Sequence, residues 1–106
     1  MMRKTLQQID IVVKNELNEA NKNYPMFRSP HEGFGVIYEE MVEAFEELDR
    51  CADMMDKIVE RLHDNSIDES CMTALEKSAE RTAAEMVQVA AMARKYKASM
   101  ETWSTD

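Results

Sequence analysis

Strong helix breakers are nearly missing from this chain. Its two glycines and two prolines all fall between Pro25 and Gly35, so nothing after Gly35 forces a helix to stop. That argues against a turn-rich sheet and for long helices. Long hydrophobic runs are missing too, since no stretch approaches the roughly 18 apolar residues that cross a bilayer. No signal-peptide pattern opens the chain, so a cytoplasmic protein with no membrane partner is expected. Cysteine is scarce. Cys51 and Cys71 lack metal-type spacing and lie in apolar stripes, so both read as reduced core residues. Basic residues are outnumbered 13 to 21, for a formal net charge of −8. A surface of that sign repels a phosphate backbone, and nucleic acid is not expected as a partner. A nucleotide can still bind if divalent cations bridge its phosphates to carboxylates.

At 44% hydrophobic residues the chain is too apolar for a disordered tail, and 106 residues suit one domain over 1–106. Residues 1–3 and 101–106, Trp103 included, are expected to fray. A first helix over roughly Lys4 to Asn21 carries Leu6, Ile9, Val13, Leu17 and Ala20 at helical spacing. Ser29, Pro30 and Glu32 form a start signal for a second helix, with Gly33 and Gly35 weakening its first turn. This helix runs to about Leu62. Its stripe is Phe34, Ile37, Met41, Leu48, Met55 and Leu62, with Ala44, Cys51 and Ile58 beside it. His63, Asp64 and Asn65 make a turn, and Ser66 to Glu69 read as a second capping box. The third helix reaches about Met100 with Cys71, Leu75, Ser78, Thr82, Met86, Val89, Ala93, Tyr96 and Met100 on one face. The expected architecture is all-α: a short N-terminal helix plus a long antiparallel helical hairpin. One short helix cannot cover two stripes about 45 Å long, so a helix bundle completed by a homodimer or homotetramer is expected.

Carboxylates crowd the second helix. Glu39, Glu40, Glu43, Glu46 and Glu47 lie within nine residues, although like charges three or four apart repel. Projected at 100° per residue, Glu40, Glu43 and Glu47 fall within about 60° along the margin of the apolar stripe. They form either a solvated flank or a place for cations. The third helix bears on that choice, because Glu85 lies inside its apolar stripe, where a carboxylate is costly unless paired or bound to metal. Pairing about the Asn65–Ser66 turn sets Glu43 opposite Gln88, Glu46 opposite Glu85 and Glu47 opposite Ala84. Clustered carboxylates are what Mg²⁺ or Mn²⁺ require, though Arg81 one turn away could neutralise Glu85 alone. Arg50 and Arg81 also come level, either to grip phosphates or to pair with nearby acids. His31 stands just before the acidic helix, able to touch a base or phosphate or simply to start the helix. Phe27 and Phe34 could stack on a base, but core packing is the better reading for either. Glu60 and His63 match the E-x-x-H spacing of di-iron bundles, but no second copy of that spacing exists.

The E-E-x-x-E run of Glu39-Glu40-Met41-Val42-Glu43, with His31-Glu32-Gly33 before it and Glu85 to Ala93 after it, resembles the MazG-like all-α nucleotide pyrophosphohydrolases. It is most similar to the small MazG-like proteins common in phages and prophages, over about Tyr24 to Lys97. The resemblance implies Mg²⁺-dependent hydrolysis of a nucleoside triphosphate to the monophosphate and pyrophosphate. It implies Glu40, Glu43 and Glu85 as metal ligands and Glu39 or Glu43 as the residue orienting water. Gln88 stands where that family's second motif has Asp; its carbonyl can still ligate a metal but brings no charge. Glu47 faces the same way and could compensate. The resemblance also admits a relative without turnover, acting as a nucleotide-binding or assembly module.

Overall fold

The structure is a computed structural model that describes residues 2–103. Three α-helices follow one another: α1 (Met2–Ala20), α2 (Pro30–His63) and α3 (Glu69–Met100), closed by a 3₁₀ turn over Glu101–Trp103. No strand occurs among the described residues, and no helix there is long and apolar enough to cross a membrane.

Local chemistry sets the helix ends. Ser29 caps α2 by accepting from the Glu32 N–H at 3.1 Å, Pro30 fills the first helical position, and Glu32 reaches back to the Arg28 N–H at 3.4 Å. The two glycines do not delay this helix, which is regular from Pro30. Asn65 takes a left-handed φ of 51°, a conformation asparagine tolerates, and turns the chain after α2. The expected Ser66 cap is replaced by Asp68, whose carboxylate accepts from the Cys71 N–H at 3.3 Å.

Both α1 and α2 pack along α3, which is the shared element of the fold. Along α2 the residues turned inward are Gly33, Ile37, Glu40, Ala44, Glu47, Cys51, Met54 and Ile58, all buried or half-buried. Their spacing alternates four and three, the repeat of a coiled-coil seam. On α3 every seventh residue answers: Cys71, Ser78, Glu85, Met92 and Ser99. Cys51 Sγ lies 3.6 Å from Thr82 Oγ1, Glu47 meets Arg81, and Gly33 sits against Tyr96.

The inward faces differ from the expected stripes. Phe34, Leu48, Met55 and Leu62 are exposed, Phe34 to 63%, and Ala44, Cys51 and Ile58 take the inner line. On α3, Met86, Ala93 and Met100 face outward while Ala91, Met92, Lys95 and Ser99 are buried. The rest of the expected α3 stripe, Cys71, Leu75, Ser78, Thr82, Val89 and Tyr96, is buried or half-buried. It is thus on α2 that large apolar residues mark the wrong side of the seven-residue period.

The main core lies at one end, where Val13, Phe27, Ala91 and Met92 are packed round by Leu17, Ile37, Val87, Tyr96 and Trp103. The connection between α1 and α2 is pinned there. Phe27 N–H donates to Ser99 Oγ at 2.9 Å, and Trp103 Nε1 donates to the Phe27 carbonyl at 2.9 Å. Trp103 also meets Tyr96 edge-on at 5.0 Å, so the chain is docked, not frayed, through this residue. The expected fraying at Arg3 is likewise replaced by helix, while Met1 and residues 104–106 lie outside the described residues.

Gly33 and Gly35 make opposite predictions. A Cβ on Gly33 would lie 2.7 Å from the Tyr96 ring and 2.8 Å from the Phe27 ring, whereas one on Gly35 meets nothing within 4 Å. Gly33→Ala should cost about 1–3 kcal/mol through overpacking. Gly35→Ala should be neutral or stabilise by up to about 1 kcal/mol, since alanine favours a helix. Urea denaturation of both variants checks this, and equal effects would show that α2 does not press on Tyr96.

Candidate metal centre

The α2–α3 seam brings three carboxylates to one point. Glu40 and Glu43, one turn apart on α2, and Glu85 on α3 each place an oxygen so that all three lie within 4.8 Å of one another. Glu40 and Glu85 are half-buried on the seam, and Glu43 is exposed at its lip. Desolvation raises the Glu40 carboxyl above its ordinary range, with Glu43, Glu85, Glu39 and Glu16 adding repulsion. Desolvation raises Glu85 as well, followed by repulsion from Glu43 and a carboxyl hydrogen bond to it.

Individual pairs depart from the expected pairing by up to about one turn, in both directions: Cys51 meets Thr82 and Glu47 meets Arg81. Glu85 comes to Glu43, not to Glu46. Glu46 is exposed, and with Tyr38, Glu39, Val42 and Glu43 it lines a shallow groove of about 350 Å³ on the outer side of α2. Gln88, placed opposite Glu43 by sequence, instead donates its side-chain amide to Glu16 on α1. Gln88 therefore belongs to the α1–α3 contact. Glu16 is the acidic neighbour that sequence reasoning missed: its charge bears on Glu40, yet α1 carries no acidic motif to single it out.

Glu47 does not extend the cluster as a free carboxylate. It bonds to Arg50 on its own helix and to Arg81 Nε at 3.3 Å across the seam, with its side chain only 14% exposed. Arg81 thus pairs with Glu47, and no ion pair reaches Glu85 among the described residues. His31 is exposed at the start of α2, and His63 ends that helix far from the carboxylates. On the other side of the cluster, Met41, Ala44, Phe45, Leu48, Thr82 and Met86 line an apolar groove of about 220 Å³.

Comparison with known proteins gave no match to this chain among family models, curated proteins or solved structures.

The cluster predicts an unusual pH response of the metal-free fold. Glu40 and Glu85 hold protons more tightly folded than unfolded, where their ordinary value is 4.5. The folded chain therefore binds more protons above that value. Stability should rise as pH falls from neutral through the two raised values, with the gain complete below 4.5. Asp10 and Asp68 act oppositely. Lys14 and Arg94 lower the first, Ser70 and Cys71 the second, both from 3.8, and their stabilisation is lost on further acidification. Melting curves in chelator should show a maximum on the mildly acidic side, and the rise should shrink in Glu85→Gln. A melting temperature that only falls from neutral pH downward would refute a strained cluster.

Proposed function

We propose that this chain is a Mg²⁺-dependent nucleoside triphosphate pyrophosphohydrolase, converting (d)NTP and water to (d)NMP and pyrophosphate. The observation that carries the reading is the convergence of Glu40, Glu43 and Glu85 with no basic side chain paired to any of them among the described residues. Oxygen-only donors on two helices suit a hard divalent ion, and the desolvation of Glu40 and Glu85 gives the fold a reason to accept one. Mg²⁺ or Mn²⁺ held by these three residues would neutralise charge on the phosphates and on the departing pyrophosphate. In this reading Glu43, at the exposed lip, or Glu39, on the adjoining outer groove, orients water toward the α-phosphorus. Gln88 lies outside this set. His31 is left as a solvent-side contact for the nucleotide.

In the same reading, α2 and α3 form an antiparallel hairpin whose bundle is completed by a second copy, as a homodimer or homotetramer. What supports this is the outer face of α2, where Phe34, Phe45, Leu48, Met55 and Leu62 are all at least half exposed. The protein is assigned to the cytoplasm, away from nucleic acid. The second reading, a nucleotide-binding or assembly module without turnover, is favoured by one observation. Gln88 is engaged with Glu16 and supplies no fourth charge.

Turnover of a panel of ribo- and deoxynucleoside triphosphates with Mg²⁺ or Mn²⁺ tests the proposal. Monophosphate plus pyrophosphate is expected, with Glu43→Gln lowering the rate at least about a hundredfold. Diphosphate plus orthophosphate would rule the reaction out. Mn²⁺ should also raise the parent's melting temperature by mass action and fail to do so for Glu43→Gln. A metal shift without turnover selects the binding module. For the assembly, sedimentation at micromolar concentration should show no monomer, and a well-folded monomer would refute it.

A further inference from the structure

Beyond Glu47 the sign of the seam reverses. Arg50 and Lys57 on α2 face Lys77 and Arg81 on α3 across an open groove of about 450 Å³, floored in part by Ser78. The lining carries four cations and one carboxylate, Asp53, in a chain whose net charge is −8. Surface cations ordinarily pair with acids of their own helix. These do so poorly. Arg50 and Arg81 close on the same Glu47, leaving guanidinium donors to spare, with only a 3.5 Å contact from Arg81 to Ser78 Oγ besides. Lys57 and Lys77 form no ion pair among the described residues, although Asp53 stands one turn from Lys57. A concave, unneutralised basic surface concentrates anions.

We infer that this groove binds a condensed phosphate chain through Arg50, Lys57, Lys77 and Arg81. Guanidinium groups take phosphate oxygens bidentately, and lysines meet them as point charges. The groove is elongated, since Arg50 and Lys57 lie roughly 10 Å apart along the helix axis. It holds no aromatic residue, so it has no platform for stacking a base and reads phosphates alone. Its upper end abuts the carboxylates, because Glu47 both anchors the two arginines and repels Glu85. The ligand is thus either a free inorganic polyphosphate or the distal phosphates of a nucleotide held at Glu40, Glu43 and Glu85. Only the second source rests on the pyrophosphohydrolase reading.

The test is calorimetric titration of the full chain with inorganic tripolyphosphate in chelator, at fixed ionic strength, with sulfate as control. Tripolyphosphate should bind one per groove and more tightly than sulfate. The double charge reversal Lys57→Glu, Lys77→Glu should weaken it roughly tenfold or more. Both lysines are exposed, so the variant should keep its helical circular dichroism; the milder Lys57→Gln, Lys77→Gln pair should give a smaller loss in the same direction. Equal affinity for sulfate, no binding, or binding indifferent to both double variants would overturn the proposal. A non-hydrolysable nucleoside triphosphate with Mg²⁺ then separates the sources. Weakening by the same variants assigns the nucleotide's own tail, and no weakening assigns free polyphosphate. Failure of the pyrophosphohydrolase reading would appear as absent turnover and would leave the metal-free titration unchanged.

Discussion

The distance between α2 and α3 is set by small side chains, and the character of the site follows from it. Gly33, Ala44 and Cys51 on one helix, with Cys71, Ser78 and Ser99 on the other, occupy repeat positions where coiled coils usually carry leucine or isoleucine. Small residues let backbones approach. Once the helices are close at several points along their length, a carboxylate at an intervening repeat position cannot swing far into solvent. Glu40, Glu47 and Glu85 hold such positions. Their partial desolvation is therefore imposed by the packing of their neighbours. An isolated α2 would carry Glu40 and Glu47 fully hydrated, with only weak repulsion between its carboxylates.

The seam then divides by charge. Around Glu40, Glu43 and Glu85 no cation is paired in among the described residues, and the Glu43 carboxyl raises the hold of Glu85 on a proton. One turn along, Glu47 is over-neutralised by Arg50 and Arg81. Beyond it the lining is cationic. An exposed ion pair contributes under about 1 kcal/mol. Energetically, then, the arrangement is a poor way to hold two helices together. Its consequence is a gradient of potential along one groove, from negative to positive, with Glu47 at the crossing. A ligand matching that gradient needs a cation at one end and anionic groups at the other.

The helices and their order were legible in the sequence because breakers and caps are local signals: Ser29-Pro30 acts on its own turn, and so does Asp68. The convergence of Glu43 with Glu85 was legible in outline, since an acidic run and a lone glutamate in a stripe both stand out. The register was not. It depends on how the turn between α2 and α3 is spent, and with α3 capped by Asp68 instead of Ser66 individual pairs fall up to about one turn from the expected pairing. The inward face was misread for a different reason. Phe34 and Leu48 are larger than Gly33 and Ala44, so hydrophobic weight pointed to the outer side, while close approach selected the smaller set. Lys95 and Ser99 gave no signal at all, since polar residues in a core are explained only by their partners.

Those partners bear on where the carboxylates meet. Lys95 is buried with its ammonium 4.8 Å from the centre of the Phe27 ring, and burial lowers its pKa, with Glu32 opposing. Ser99 accepts from Phe27 N–H and donates to the Lys95 carbonyl at 2.7 Å. With Trp103 donating to the Phe27 carbonyl, both backbone groups of Phe27 are satisfied from the end of α3. The loop before α2 therefore cannot slide along α3 without stranding buried polar groups, at about 1–3 kcal/mol each. Phe27 and Tyr96 close on Gly33, which fixes the start of α2 against the end of α3. From there Glu40 lies one seven-residue repeat into α2, whereas Glu85 lies two repeats into α3 from Ser99. A polar clamp at that end of the bundle thus restrains sliding of α2 along α3. In this way residues that touch no part of the carboxylate cluster restrain the helices that carry it.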